Sequence, residues 1–86
     1  MNWTVDIPVH LGDSVIAAIV EFKISVNAVG PGLAGWAKKT PLLFIQFRGD
    51  RISGLDINGH AYEADEIELL YPTAIAQIHA MQHNLS

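Results

Sequence analysis

The stretch that most constrains this chain runs from Val15 to Val26 and is rich in β-branched side chains. Such residues lose rotamer freedom in a helix and fit the pleated surface of a sheet, so the stretch reads as a strand. Strand side chains alternate between two faces. The even positions, Ile16, Ala18, Val20, Phe22, Ile24 and Val26, are apolar throughout. The odd positions begin apolar with Val15, Ala17 and Ile19, then turn polar with Glu21, Lys23 and Ser25. The first half of this strand therefore demands cover on both faces, and the second half on one. A helix can supply one cover. The second must come from a loop or from another subunit.

The neighbouring segments extend the pattern. Trp3, Val5, Ile7, Val9 and Leu11 alternate with Thr4, Asp6, Pro8 and His10, which predicts a half-buried strand over about 3–11, marked as an edge by Pro8. Gly12-Asp13 supplies a turn. Residues 27–41 lack periodicity and hold three glycines and two prolines, so they are expected to form a long loop. Further strands are predicted over 42–47, 52–57 and 60–63, with Arg48 to Arg51 as a turn and Gly54 as a candidate bulge. Asn58-Gly59 predicts a two-residue type I′ hairpin that sets Tyr62 opposite Leu55. Asp65 and Glu68 have the spacing of a capping box, with Asp65 as N-cap. Apolar or small residues then recur at helical spacing from Ile67 to Leu85, interrupted by Pro72. The expectation is a short helical turn near 66–70 and a main helix over about 72–83, with Ile75, Ile78, Met81 and Leu85 towards the sheet. The predicted fold class is α+β: an antiparallel β-meander of four to five strands with one C-terminal α-helix packed on one face.

Size and charge bound the function. At 86 residues the chain is expected to form a single domain over 1–86, because two autonomous cores need more length. Half of the residues are apolar and only 16% are charged, which excludes a disordered chain. The sequence has no apolar run long enough to span a membrane. Its start lacks the basic and greasy segments of a secretory signal. Absence of cysteine excludes disulfides and thiolate zinc sites and fits a reducing compartment, so a cytoplasmic location is expected. Residues 52–86 carry five acids and no Lys or Arg, while four of the five basic residues fall between 38 and 51. The net charge of −4 argues against nucleic acid as a partner. The asymmetry reads either as an ordinary solvated surface or as two patches of opposite sign that orient a protein partner or a second copy.

The chemistry-bearing residues form no recognisable machinery. His79 and His83 are four apart on the predicted helix, but a metal site needs a third ligand that nothing in the sequence arranges. The serines have no neighbouring histidine in sequence, and Asp65, Glu66 and Glu68 are explained by helix N-terminal electrostatics. Gly30 to Gly35 matches half of a phosphate-binding loop, yet Trp36-Ala37-Lys38 is inserted before Lys39-Thr40 and Pro41 follows where a helix should continue. Arg48-Gly49-Asp50 reads as a turn rather than an adhesion tripeptide. No catalytic residue, cofactor, metal or small-molecule substrate is therefore expected. Trp36 sits among glycines and lysines, and it is either an interface anchor or a cover for the second face of Val15–Ile19.

The stretch from Ile57 to Pro72, with its hairpin followed by an acidic helix start, resembles the ending of small phage-encoded accessory proteins, a group that includes anti-CRISPR and other anti-defence inhibitors. The resemblance implies a stand-alone inhibitor that binds a host protein or protein complex in the host cytoplasm. The residues expected to make the contact are Trp36 with the basic residues Lys38, Lys39, Arg48 and Arg51, or the acidic group Asp56, Glu63, Asp65 and Glu66. The alternative is a structural or assembly component whose apolar surplus forms a homodimer or larger homo-oligomer. A small metal-dependent enzyme built on the histidines ranks third.

Overall fold

The computed structural model describes residues 2–29 and 32–85, and their side chains except those of 25–29, 32–34, 36 and 83–85. The fold is α+β, an antiparallel sheet with two small helices on one face. In chain order the elements are β1 (Trp3–Val5), β2 (Val9–Leu11), β3 (Ser14–Val29), β4 (Gly32–Arg48), β5 (Arg51–Leu55), β6 (Ala61–Glu63), α1 (Ala64–Leu70) and α2 (Ala74–Leu85). The strand order is β1-β3-β4-β5-β6, with β2 also paired to β3. Six strands replace the expected four or five, and two helices replace one.

The expected loop over 27–41 is the largest correction. Its described residues continue β3 and β4 as one long antiparallel ribbon, with Asn27 opposite Ala34, Ser25 opposite Trp36 and Lys23 opposite Lys38. Glycine and proline weaken a strand without forbidding it when the partner strand has strong β-propensity, and Val20 to Val26 provides that partner. Pro41 is accommodated by a bulge. Ile19 pairs with Leu43 but Val20 pairs with Pro41, so Leu42 is an extra residue in β4. Proline is tolerated at such irregularities, and here β5 pairs β4 only from Phe44 onward, so the outer side of Pro41 meets no ladder.

The expected strand over 3–11 is broken at Asp6-Ile7-Pro8. Val5 pairs with Ile19, whereas Val9 pairs with Ile16, so one residue is gained in the link. A slip of one residue exchanges the faces of a strand. Trp3 and Val5 therefore share the face of Ile19, while Val9 and Leu11 share the opposite face with Ser14 and Ile16. The five-residue apolar face read from the sequence is split between the two sides of the sheet. Pro8 is the buried pivot of the link.

The core lies between the sheet and the helices. Val5, Ala17, Ile19, Leu43, Ile45 and Phe47 meet Ile67 of α1 and Ala74 and Ile78 of α2. Trp3 packs edge-on to Tyr71, with ring centroids 5.5 Å apart, and closes one end. Gly54 is not a bulge, since β5 pairs in unbroken register with both neighbours. A side chain at this position would meet Ile67 Cδ1 at 3.0 Å, so glycine here lets α1 approach the sheet. The helix start is also shifted by two residues. Glu63 is the N-cap, and the Glu63 N–H donates to Glu66 Oε1 at 3.1 Å in a reciprocal capping box. Pro72 lies in the link rather than in α2. It has no N–H to continue α1, Thr73 takes a left-handed φ of 72°, and α2 begins at Ala74.

Candidate interaction surface

Among the described residues, the opposite face of the sheet carries no helix. Residues paired across antiparallel strands share a face, so the register fixes its membership. Val9 and Leu11 of β2, Ile16, Ala18, Val20, Phe22 and Ile24 of β3, Phe44 of β4 and Leu55 of β5 all lie on it. Among them Val9 is 56% exposed, Leu11 57%, Phe44 41% and Leu55 48%, and Ile7 in the link is 74% exposed. Scattered apolar residues at a surface are ordinary, but contiguous ones mark contact sites. Here they are contiguous. Ile7, Val9, Leu11, Ile16, Ala18 and Phe44, with Asp6 at the rim, line one shallow groove of about 330 Å³. Beside it Phe44 and Leu55 are direct cross-strand neighbours and form a ridge.

Among the described residues, the apolar stretch of this face holds one charged pair, Lys39 Nζ to Asp6 Oδ1 at 3.1 Å. Towards the β4–β5 turn it becomes polar, where Gln46, Arg48, Arg51 and Ser53 line a second shallow depression of about 250 Å³. Gln46 Nε2 donates to Ser14 Oγ at 3.0 Å in the same region.

The residues expected to make contact do not gather at one place. Trp36 and Lys38 lie on the β3–β4 ribbon, opposite Ser25 and Lys23. Lys38 is exposed, and the Trp36 side chain lies outside the described residues, so neither its anchor nor its cover role is described. Lys39 is tied to Asp6. Arg48 and Arg51 face each other across the β4–β5 turn. Glu63 and Asp65 line a groove with Asp50 and Arg51, while Glu63 and Glu66 also cap α1.

Asp56 belongs to the β5–β6 turn. Its Oδ1 accepts the N–H groups of Asn58 and His60, each at 2.9 Å, and its Oδ2 accepts the Tyr62 hydroxyl at 3.0 Å. The His60 N–H is the foremost reason that this carboxyl titrates below its ordinary range, against the opposing pull of burial. The same carboxylate pushes the Tyr62 phenol up, with burial adding to the effect. All of these donors serve the turn. The Gly59 N–H donates to the Asp56 carbonyl at 3.1 Å, and Gly59 has φ 83° while Asn58 stays out of the left-handed region. That is a longer loop than the expected type I′ turn, with glycine alone in the left-handed position. Tyr62 consequently pairs with Gly54, and Leu55 with Ala61.

His79 is exposed and stacks edge-on to Phe47, with ring centroids 5.0 Å apart; the His83 side chain lies outside the described residues. Among the described residues no three His, Asp or Glu side chains come together as a metal site, and no helix is long and apolar enough to cross a membrane.

The open sheet face is a further candidate surface beside the residues named from the sequence. Its one visible signal was the apolar character of Val15–Ile19 on both faces, which asked for a second cover. The one-residue gain at Asp6–Pro8, which brings Val9 and Leu11 to this side, leaves no trace in the alternation. No family model matches the chain, and neither a curated protein nor a solved structure matches it.

Proposed function

We propose that the protein works by binding another polypeptide, not by catalysis, and that the open apolar face of its sheet is the contact surface. The observation that supports this most directly is the groove-and-ridge surface of Ile7, Val9, Leu11, Ile16, Phe44 and Leu55, contiguous and without a helix over it, on a chain whose helices pack on the other sheet face. Full burial of such a side chain from water gains about 1.5–3 kcal/mol, and these, already partly buried, gain a fraction of that each, so covering several of them together can drive association. The narrower reading, an inhibitor of a host defence complex in the cytoplasm, draws on the likeness of residues 57–72 to phage accessory proteins. In that reading Arg48 and Arg51, at the polar end of the open face, help to select the partner, while Lys38 and the acidic residues Glu63, Asp65 and Glu66 contribute from outside its apolar stretch.

Binding can be measured with the full chain immobilised and offered a soluble bacterial lysate together with a differently tagged copy of itself. Phe44→Glu is expected to lose whatever the wild type retains while keeping the same melting curve when dilute. Lys38→Glu/Lys39→Glu is expected to slow capture without abolishing it. Full retention by a folded Phe44→Glu variant, with loss in a Lys38→Glu variant that leaves Lys39 in place, would overturn the open face in favour of the ribbon.

A further inference from the structure

We infer that the occupant of the open face is a second copy of the same chain, held face to face in a two-fold symmetric dimer. The inference rests on the binding reading above and names its partner.

Area is the first argument. The chain exposes 6113 Å². Surface scaling gives roughly 5,000 Å² for a folded chain of this mass, so the excess is about 1,100 Å². A stable interface of standard size takes roughly 800 Å² from each partner. That surplus belongs to the whole elongated molecule, which measures 55 × 29 × 21 Å with a radius of gyration of 15.8 Å against about 12 Å for a compact chain of this length, and the open face along β3 and β4 is one part of it.

Shape also supplies the second argument. An isologous interface uses one patch twice, so that patch must carry both a projection and a recess. Here the Phe44–Leu55 ridge on β4–β5 lies beside the groove between β2 and β3. A two-fold axis between them, close to Ala18 and its cross-strand neighbour Phe44, seats the ridge of each copy in the groove of the other. Two sheets packed this way lie about 10 Å apart, as in a sandwich.

Charge is the third. In the described apolar stretch the charged side chains are Asp6 and Lys39, which neutralise each other. Such a surface shows no sign that would select an oppositely charged protein, and it meets its own copy without repulsion at the centre. The ribbon adds a need for cover. Beyond Glu21 and Thr40 the described parts of β3 and β4 pair only with each other, and Phe22 and Ile24 are exposed on the same face. A two-stranded ribbon is marginal in water, and a second copy lying along it removes those side chains from solvent.

Sedimentation equilibrium of the full chain tests this, with far-UV dichroism as the folding check. The wild type is expected at twice 9.4 kDa, dissociating on dilution, and a folded Phe44→Glu variant at the single-chain mass. Because the chain has no cysteine, single thiols report the interface directly. Ala18→Cys should cross-link with a short bifunctional thiol reagent roughly tenfold or more faster than Glu68→Cys on the helix side, because the dimer holds the two thiols at high effective concentration. A wild type that stays at the single-chain mass at every concentration overturns the second copy. It leaves the binding reading standing if Phe44→Glu still abolishes capture of another protein. A dimer that survives Phe44→Glu, or that cross-links faster through Glu68→Cys, overturns this face as its interface.

Discussion

The two faces of the sheet are built from the same strands and are similarly apolar over Val15 to Val20, yet one is sealed and the other open. On the sealed face Ile19, Leu43 and Ile45 meet Ile67 and Ile78 with essentially no solvent exposure. On the open face Ile16, Ala18 and Phe44 meet a groove. The apolar odd positions of β3 end at Ile19, and a helix of 12 residues is about 18 Å long, which spans five or six strand residues. Val15 to Ile19 is that length. The even positions stay apolar as far as Val26, beyond what such a helix covers. The difference teaches that a run of apolar residues longer than the chain's own helix is better matched to an extended partner than to the chain's own core.

That comparison predicts unequal costs. Ile19→Ala should lower stability by about 2–5 kcal/mol, because it opens a cavity among packed neighbours that collapse only partly. Ile7→Ala on the open face should change the stability of the dilute protein by no more than about 0.5 kcal/mol. Urea titration of both variants at low concentration measures the contrast. Equal losses would mean that the open face is already covered within one chain.

Gly54→Ala separates the faces more finely, since every extra atom points to the sealed side. Its Cβ would sit 3.0 Å from Ile67 Cδ1 and 3.4 Å from Leu43 Cδ1. Overpacking of this kind costs about 1–3 kcal/mol. The same denaturation experiment should show this loss relieved by Ile67→Val, which shortens the side chain in the way. A loss that Ile67→Val does not relieve would point to the backbone of β5 instead of the helix contact.

Much of the sealed face was legible from residue order. Alternation in Val15–Ile19, helical spacing at Ile67, Ala74 and Ile78, and the break at Pro72 are local signals with local causes. The open face was half legible: demand for a second cover could be read from Val15–Ile19, but its supplier and membership could not. Membership depends on the register gained at Asp6–Pro8 and on the bulge at Leu42, and register is a property of two strands together. The ribbon was missed for a related reason. Gly32, Gly35 and Pro41 read as loop residues in isolation, and only the partner strand makes them part of a ladder.

The smallest effect tests the edge of the sealed face, where Tyr62 packs half-buried against the core and is tied to Asp56. In the unfolded chain Asp56 titrates at its ordinary value of 3.8, and the turn donors hold it lower in the fold. The unfolded state therefore binds more protons in the interval between, and the stabilisation from this carboxylate is complete above the ordinary value and fades as pH falls through the lowered one. Tyr62 behaves in the opposite sense: its pKa is raised above the ordinary 10.0, so its contribution is complete below that value and fades as pH rises towards the raised one. Asp56→Asn keeps an oxygen for the Asn58 and His60 N–H groups but loses the charge. Its melting temperature should fall below wild type by a constant margin at neutral pH, and that margin should shrink in acid below the ordinary carboxyl value. A margin that persists unchanged into acid would show that the turn needs the geometry of Asp56 and not its charge, which would detach Tyr62 from the electrostatics of the turn and leave its packing on the sealed face as its main contribution.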